Sequence, residues 1–272
     1  MDLSLEKYRV IRVITNKYNI FWGVLYSAFW ILLSAFVFSI QLPKGSSPQV
    51  YLYFSGGWFS FIAVYLPTAI SVGVLTTMVY QTGSIPYLIR FGKLSASRYI
   101  ISNYLAMLIP SIVFSLISLV LTIIAYFMKY NIILMPYNIG LVFLSIILTS
   151  LFVISLDFLL YTIMAKFLGF KQANFISFLP MMLMFALFFS NLYISFPKAL
   201  LYISPINACL DLTLYSYSGQ EPSTTLAFPG SETVSPLLDA ISITAWIVIL
   251  TAISMPLVSR IYYRPEEEIR QM

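Results

Sequence analysis

Six runs of apolar residues follow one another along the chain, separated by short stretches that carry most of the charge. About 20 apolar residues at 1.5 Å each are needed to cross a hydrocarbon core about 30 Å thick. The runs at Tyr18 to Ile40, Gly56 to Tyr80, Arg98 to Met128, Tyr137 to Ala165, Ala173 to Tyr193 and Leu237 to Ser259 meet that length. They predict an all-α, polytopic membrane fold of six transmembrane helices, forming one domain over residues 1–272. The third run has thirty-one residues, a rod of about 46 Å, so part of it tilts or projects into water.

The segments around these runs have patterns of their own. Residues 1–17 read as an amphipathic helix on the membrane surface. At 100° per residue Leu3, Val10, Ile11, Ile14 and Tyr18 gather on one side and Arg9, Arg12 and Asn16 on the other, with Lys7 interrupting the apolar edge. Between the second and third runs, residues 83–97 hold Gly83 as a helix stop, Ser84 as a cap and Pro86 in a first turn, predicting a short helix from Ile85 to Phe91 that Gly92 ends. Its Ile85, Tyr87, Leu88 and Phe91 present more apolar surface than a solvated loop needs. That surface either packs against the same chain or docks, helix in groove, into a partner.

Prolines fall in the second, third, fifth and sixth runs, at Pro67, Pro110, Pro180 and Pro256. Each removes one backbone hydrogen bond and bends its helix. Residues 195–236 form the longest segment outside the runs. Its first half is apolar, but Pro197 and Pro205 cut it into pieces too short to span, which predicts a re-entrant or interfacial hairpin with Tyr202, Tyr215 and Tyr217 anchored at the interface. The second half is a polar loop.

Composition agrees with a lipid solvent: mean hydropathy is +0.90 and 9% of residues are charged. Orientation follows from the fifteen Lys and Arg. Lys7, Arg9, Arg12, Lys17, Arg90, Lys93, Arg98, Lys166, Lys171, Arg260, Arg264 and Arg270 lie on one side, against Lys44, Lys129 and Lys198 on the other. Both termini are therefore expected in the cytoplasm, with the chain in the cell membrane. The net charge of +5 is spread over juxtamembrane segments facing anionic head groups, a pattern of topology and not of nucleic-acid binding. No His and one Cys are present, which removes imidazole metal sites, His-dependent triads and an internal disulfide, and no catalytic set emerges. Asp157 reads as the one intramembrane acid, about 13 Å from the inner end at Lys166. It is either a functional group or a carboxyl bonded to a Ser, Thr or Tyr of a neighbouring helix.

Taken in order, an amphipathic arm, six spans, the short helix in SIPYLIRFGKLSASRYI and the apolar hairpin FPKALLYISPINACLD resemble the membrane subunits of type-2 ATP-binding-cassette exporters. The family's hairpin commonly reads Ser-x-x-Asn-Pro with an acidic residue after it; here Ala208 follows Asn207, and a proline, Pro205, precedes it. The resemblance implies a permease that pairs with a second copy or a relative. It also implies a coupling helix lodged in a separate ATPase subunit, which binds ATP and magnesium in its stead. Ile85, Pro86, Tyr87, Leu88 and Arg90 would form the core of that contact, Lys93 and Arg98 its edge, and Arg9 and Arg12 of the arm would add to it. The chain itself carries no phosphate-binding loop. Two other classes stay open: an ion-coupled secondary transporter, for which one carboxylate is few, and a non-transport assembly subunit.

Overall fold

The computed structural model describes residues 4–43, 45–81, 96–167, 173–225 and 232–258. Among them the chain is a helical, multi-pass membrane protein: six helices are long and apolar enough to cross a membrane, and the sole β pairing is an isolated bridge between Ser223 and Thr233. In chain order the helices described are α1 (Ser4–Ile14), α2 (Lys17–Gln41), α3 (Pro48–Gln81), α4 (Ala96–Tyr130), α5 (Ile139–Phe167), α6 (Ala173–Tyr193), α7 (Lys198–Ile203), α8 (Pro205–Ser218) and α9 (Pro236–Val258). The spans are α2 to α6 and α9. Five of them start and stop within two residues of the limits expected from the apolar runs.

The exception is α3, which begins at Pro48 and not at Gly56. The Gly56–Gly57 pair lies inside the helix, and α8 presses against Gly56. A Cβ on Gly56 would stand 3.1 Å from Tyr217 Cδ1 and 3.2 Å from Leu214 Cδ1, so the glycine is there for close approach. Helix α3 is the axis of the bundle, packed against α4, α5, α6 and α8. In its apolar stretch 83% of the residues are buried, against 22% in α9, which leaves α9 facing lipid along most of its length.

An aromatic cluster fills the space between α2, α3 and α6. Phe61 and Phe188 lie 4.5 Å apart, Phe38 stacks on Trp58 at 4.9 Å, and Trp30 meets Phe61, Phe185 and Phe189. One turn into helix α2 lies a π turn over Phe21–Leu25. Tyr65 Oη donates to the Trp22 carbonyl within that turn (3.1 Å), supplying a partner where the helical register is disturbed. Each of α3, α4, α6 and α9 runs through its proline without a break in helical assignment.

Residues 195–236 depart from expectation in one respect. Pro197 and Pro205 do divide the apolar half, giving a six-residue α7 and a fourteen-residue α8 with Pro205 in its first turn. Yet α8 is enclosed by α3, α5 and α9, and Tyr217 is fully buried. Its ring packs on Phe59 (5.3 Å) and its hydroxyl donates to the Leu134 carbonyl (3.4 Å), so Tyr217 is a core residue and not an interfacial anchor. Gly219 ends α8 at φ 72°. The N–H groups of Tyr137 and Asn138 then cap the orphan carbonyls of Tyr217 and Ser216 (2.8 and 3.3 Å), tying the start of α5 to the end of α8.

Candidate functional site

At one end of the bundle, α1 lies along the beginning of α4. Arg9 Nη1 donates to Ser102 Oγ and to Asn103 Oδ1, both at 2.9 Å. Val13 and Ile14 pack into the core, and Asn19 Nδ2 closes the turn onto the Val13 carbonyl (2.9 Å). The sequence pattern set Arg9 beside Arg12 on a common polar face; the structure turns Arg9 into the bundle and leaves Arg12 exposed. Ser102 lies six residues after Ala96, about 9 Å along the helix, so the arm is seated where the third span begins. Of the coupling-helix residues, Ile85, Pro86, Tyr87, Leu88, Arg90 and Lys93 lie outside the described residues. Arg98 falls in α4 with its side chain outside them too.

Asp157, on α5, is fully buried. Ser71 of α3 stands beside its carboxyl, but the Ser71 hydroxyl donates to the Thr68 carbonyl (2.8 Å). Neither carboxyl oxygen has a hydrogen-bond partner among the described residues. On the same helix Ser155 contacts Thr251 Oγ1 of α9 (3.2 Å) and Tyr104 Oη of α4 (3.5 Å). Hydroxyls of three spans thus meet two residues from the acid.

Two further acids are buried in the interior of the bundle. Asp239, in the first turn of α9, is fully enclosed with both oxygens unpartnered among the described residues, and Asp211 of α8 is buried with one oxygen in that state. Burial, reinforced by the charge of Asp239, holds the Asp211 carboxyl well above its usual range. Between them on α8, Cys209 is buried, and its thiol is pushed up to about 12 by the same enclosure, against a smaller opposing effect of Thr149. A thiol so placed is a packing residue and not a nucleophile. What hid both acids is that helical pattern alone does not say which side of α8 or of the first turn of α9 faces protein. Their one legible signal is a carboxylate within an apolar stretch.

A ribbon roofs this region. Residues 221–225 and 232–235 pair through Thr224 N to the Glu232 carbonyl (2.9 Å) and Val234 N to the Pro222 carbonyl (2.8 Å). Tyr53 Oη accepts from Ser223 N (3.2 Å), Tyr202 Oη accepts from Ser235 N (2.8 Å), and Lys198 pairs with Glu232 at 3.4 Å. Beneath the ribbon, an apolar hollow of about 80 Å³ opens between α2, α3 and α6, lined by Leu42, Tyr53, Trp58 and Phe188 among others. Among the described residues no three His, Cys, Asp or Glu side chains converge to hold a metal ion. No protein-family model matches the chain, and no curated protein matches it.

Proposed function

We propose that this chain is the membrane-spanning permease subunit of an ATP-binding-cassette exporter, moved by a separate ATPase and paired with a second permease copy. The observation that carries the reading is the order of elements: an arm seated on the third span, six apolar helices, and, just before the last of them, a two-helix hairpin whose second helix is enclosed by the bundle. In this reading α7–α8 is the re-entrant hairpin on the outer side, the arm end is cytoplasmic, and residues 85–91, within the segment 83–97, form the coupling helix. A contact there would gain leverage because α4, which begins at Ala96, runs for 35 residues, about 50 Å of rod. Displacement of its inner end therefore reaches the hairpin end.

The test is copurification of the tagged chain from its native membrane, with identification of the bound subunits, alongside Leu88→Asp. The variant should insert normally and lose the ATPase; an ATPase retained at wild-type stoichiometry, with transport unchanged, refutes the assignment.

Asp157, Asp211 and Asp239, carboxyls buried among the helices that follow the arm, favour a second reading, an ion-coupled transporter, more than a single acid did. Uphill transport by the purified chain alone in vesicles, with no nucleotide hydrolase present, would establish it and end the first.

A further inference from the structure

The two sides of α1 have different surroundings. Glu6 is buried, Arg9 is bonded to α4, and Val13 packs into the core. The opposite side carries Lys7, Tyr8, Ile11, Arg12 and Thr15, all exposed, and Tyr18 extends it at the start of α2. At 100° per residue the four positions of α1 and Thr15 just after it fall within an arc of about 140°. Lys7 marks one edge and Arg12 the other, with Ile11, Thr15 and Tyr8 between them. Tyr8 is 63% exposed and Ile11 48%. Lys7, a blemish on the apolar edge in the sequence pattern, becomes the border of this face once Arg9 is turned away.

We propose that this face is a docking surface for anionic lipid head groups. Lys7 and Arg12 would reach phosphates from the two edges while the Tyr8 ring and the Ile11 side chain sit at the acyl boundary. Charge and shape select this occupant. Cations on flexible stems flank an apolar strip, the arrangement that lies flat in a head-group layer. The acid of α1, Glu6, is turned into the bundle and does not neutralise the face. The face also runs directly into α2, whose apolar length already stands in lipid. Arg9 has a separate task as the clamp that passes the position of the arm to α4. This inference does not rest on the permease reading: it needs only a bilayer.

Hydrogen exchange of the full chain in nanodiscs, followed by mass spectrometry of the peptide covering residues 4–14, tests it. Each Lys or Arg at an anionic surface favours the bound state by about fivefold, so phosphatidylglycerol should slow exchange in the arm by up to about 25-fold relative to phosphatidylcholine. K7Q/R12Q should remove the difference and the charge-keeping K7R/R12K should retain it, with exchange in the spans unchanged throughout. Equal arm exchange in the two lipids overturns the proposal, including the case in which an acidic protein is the true occupant. So does a slowdown that survives K7Q/R12Q. Should that variant disturb the spans, high salt applied to the wild type must abolish the slowdown, and its persistence overturns the proposal equally.

Discussion

Replacing Asp211 with asparagine should make this protein more stable, although it alters a buried polar group. The side chain keeps its shape, and the change removes a carboxyl that is buried beside Asp239 with one oxygen unpartnered. Leaving such a group unsatisfied costs about 1–3 kcal/mol, and the asparagine amide is neutral at every pH. The sign follows from linkage. Burial and then Asp239 raise the Asp211 pKa above its ordinary value of 3.8, so the protonated form is the one that folding favours. Its stabilising contribution is complete below about pH 3.8 and is lost as pH rises through the higher folded value. Wild type should therefore lose stability as pH rises above about 3.8, and Asp211→Asn should flatten that decline while raising Tm at neutral pH by about 2–4 °C per kcal/mol recovered. Thermal unfolding in detergent across a pH series measures this. Maleimide labelling of Cys209, the single cysteine and fully enclosed in α8, gives an independent reading, since the variant should label more slowly. A variant that melts below wild type at every pH, with the decline on raising pH intact, would refute the reasoning and mean that the Asp211 carboxylate is paired.

Three further outcomes follow from the same packing. Gly56→Leu places a side chain where Tyr217 and Leu214 already stand; overpacking of this kind costs about 1–3 kcal/mol and should loosen α8, read as faster Cys209 labelling. Arg9→Gln removes two charge-assisted bonds to Ser102 and Asn103, together worth about 1.5–3 kcal/mol, so amide exchange in the arm should accelerate about tenfold to hundredfold while the spans are unaffected. Asp157→Asn should leave transport and its pH dependence unchanged if the carboxyl only packs beside Ser71; a lost pH dependence would make Asp157 part of an ion path.

Several features were legible before any fold was known. The last three spans fall within two residues of the apolar runs, because whether a helix prefers lipid depends on its own side chains and length. The break at Pro197 and Pro205 was equally local, set by a missing donor and a fixed φ. The start of the second run at Gly56 differs from the helix start at Pro48 for the opposite reason. Only the ring of Tyr217, 161 residues on, gives Gly56 a purpose inside a helix.

Sequence alone thus determined that this chain is helical, where it crosses lipid and how its basic residues are shared between the two ends, since each of these is a property of a segment and its solvent. Only the tertiary structure decided which face of each segment is turned inward. That choice sent Arg9 to Ser102 and Asn103, left Lys7 and Arg12 outside, and drew Asp211, Asp239 and Tyr217 into the interior. In a chain whose helices are apolar on nearly every side, periodicity carries little information about facing, and packing against neighbours far away in sequence settles it.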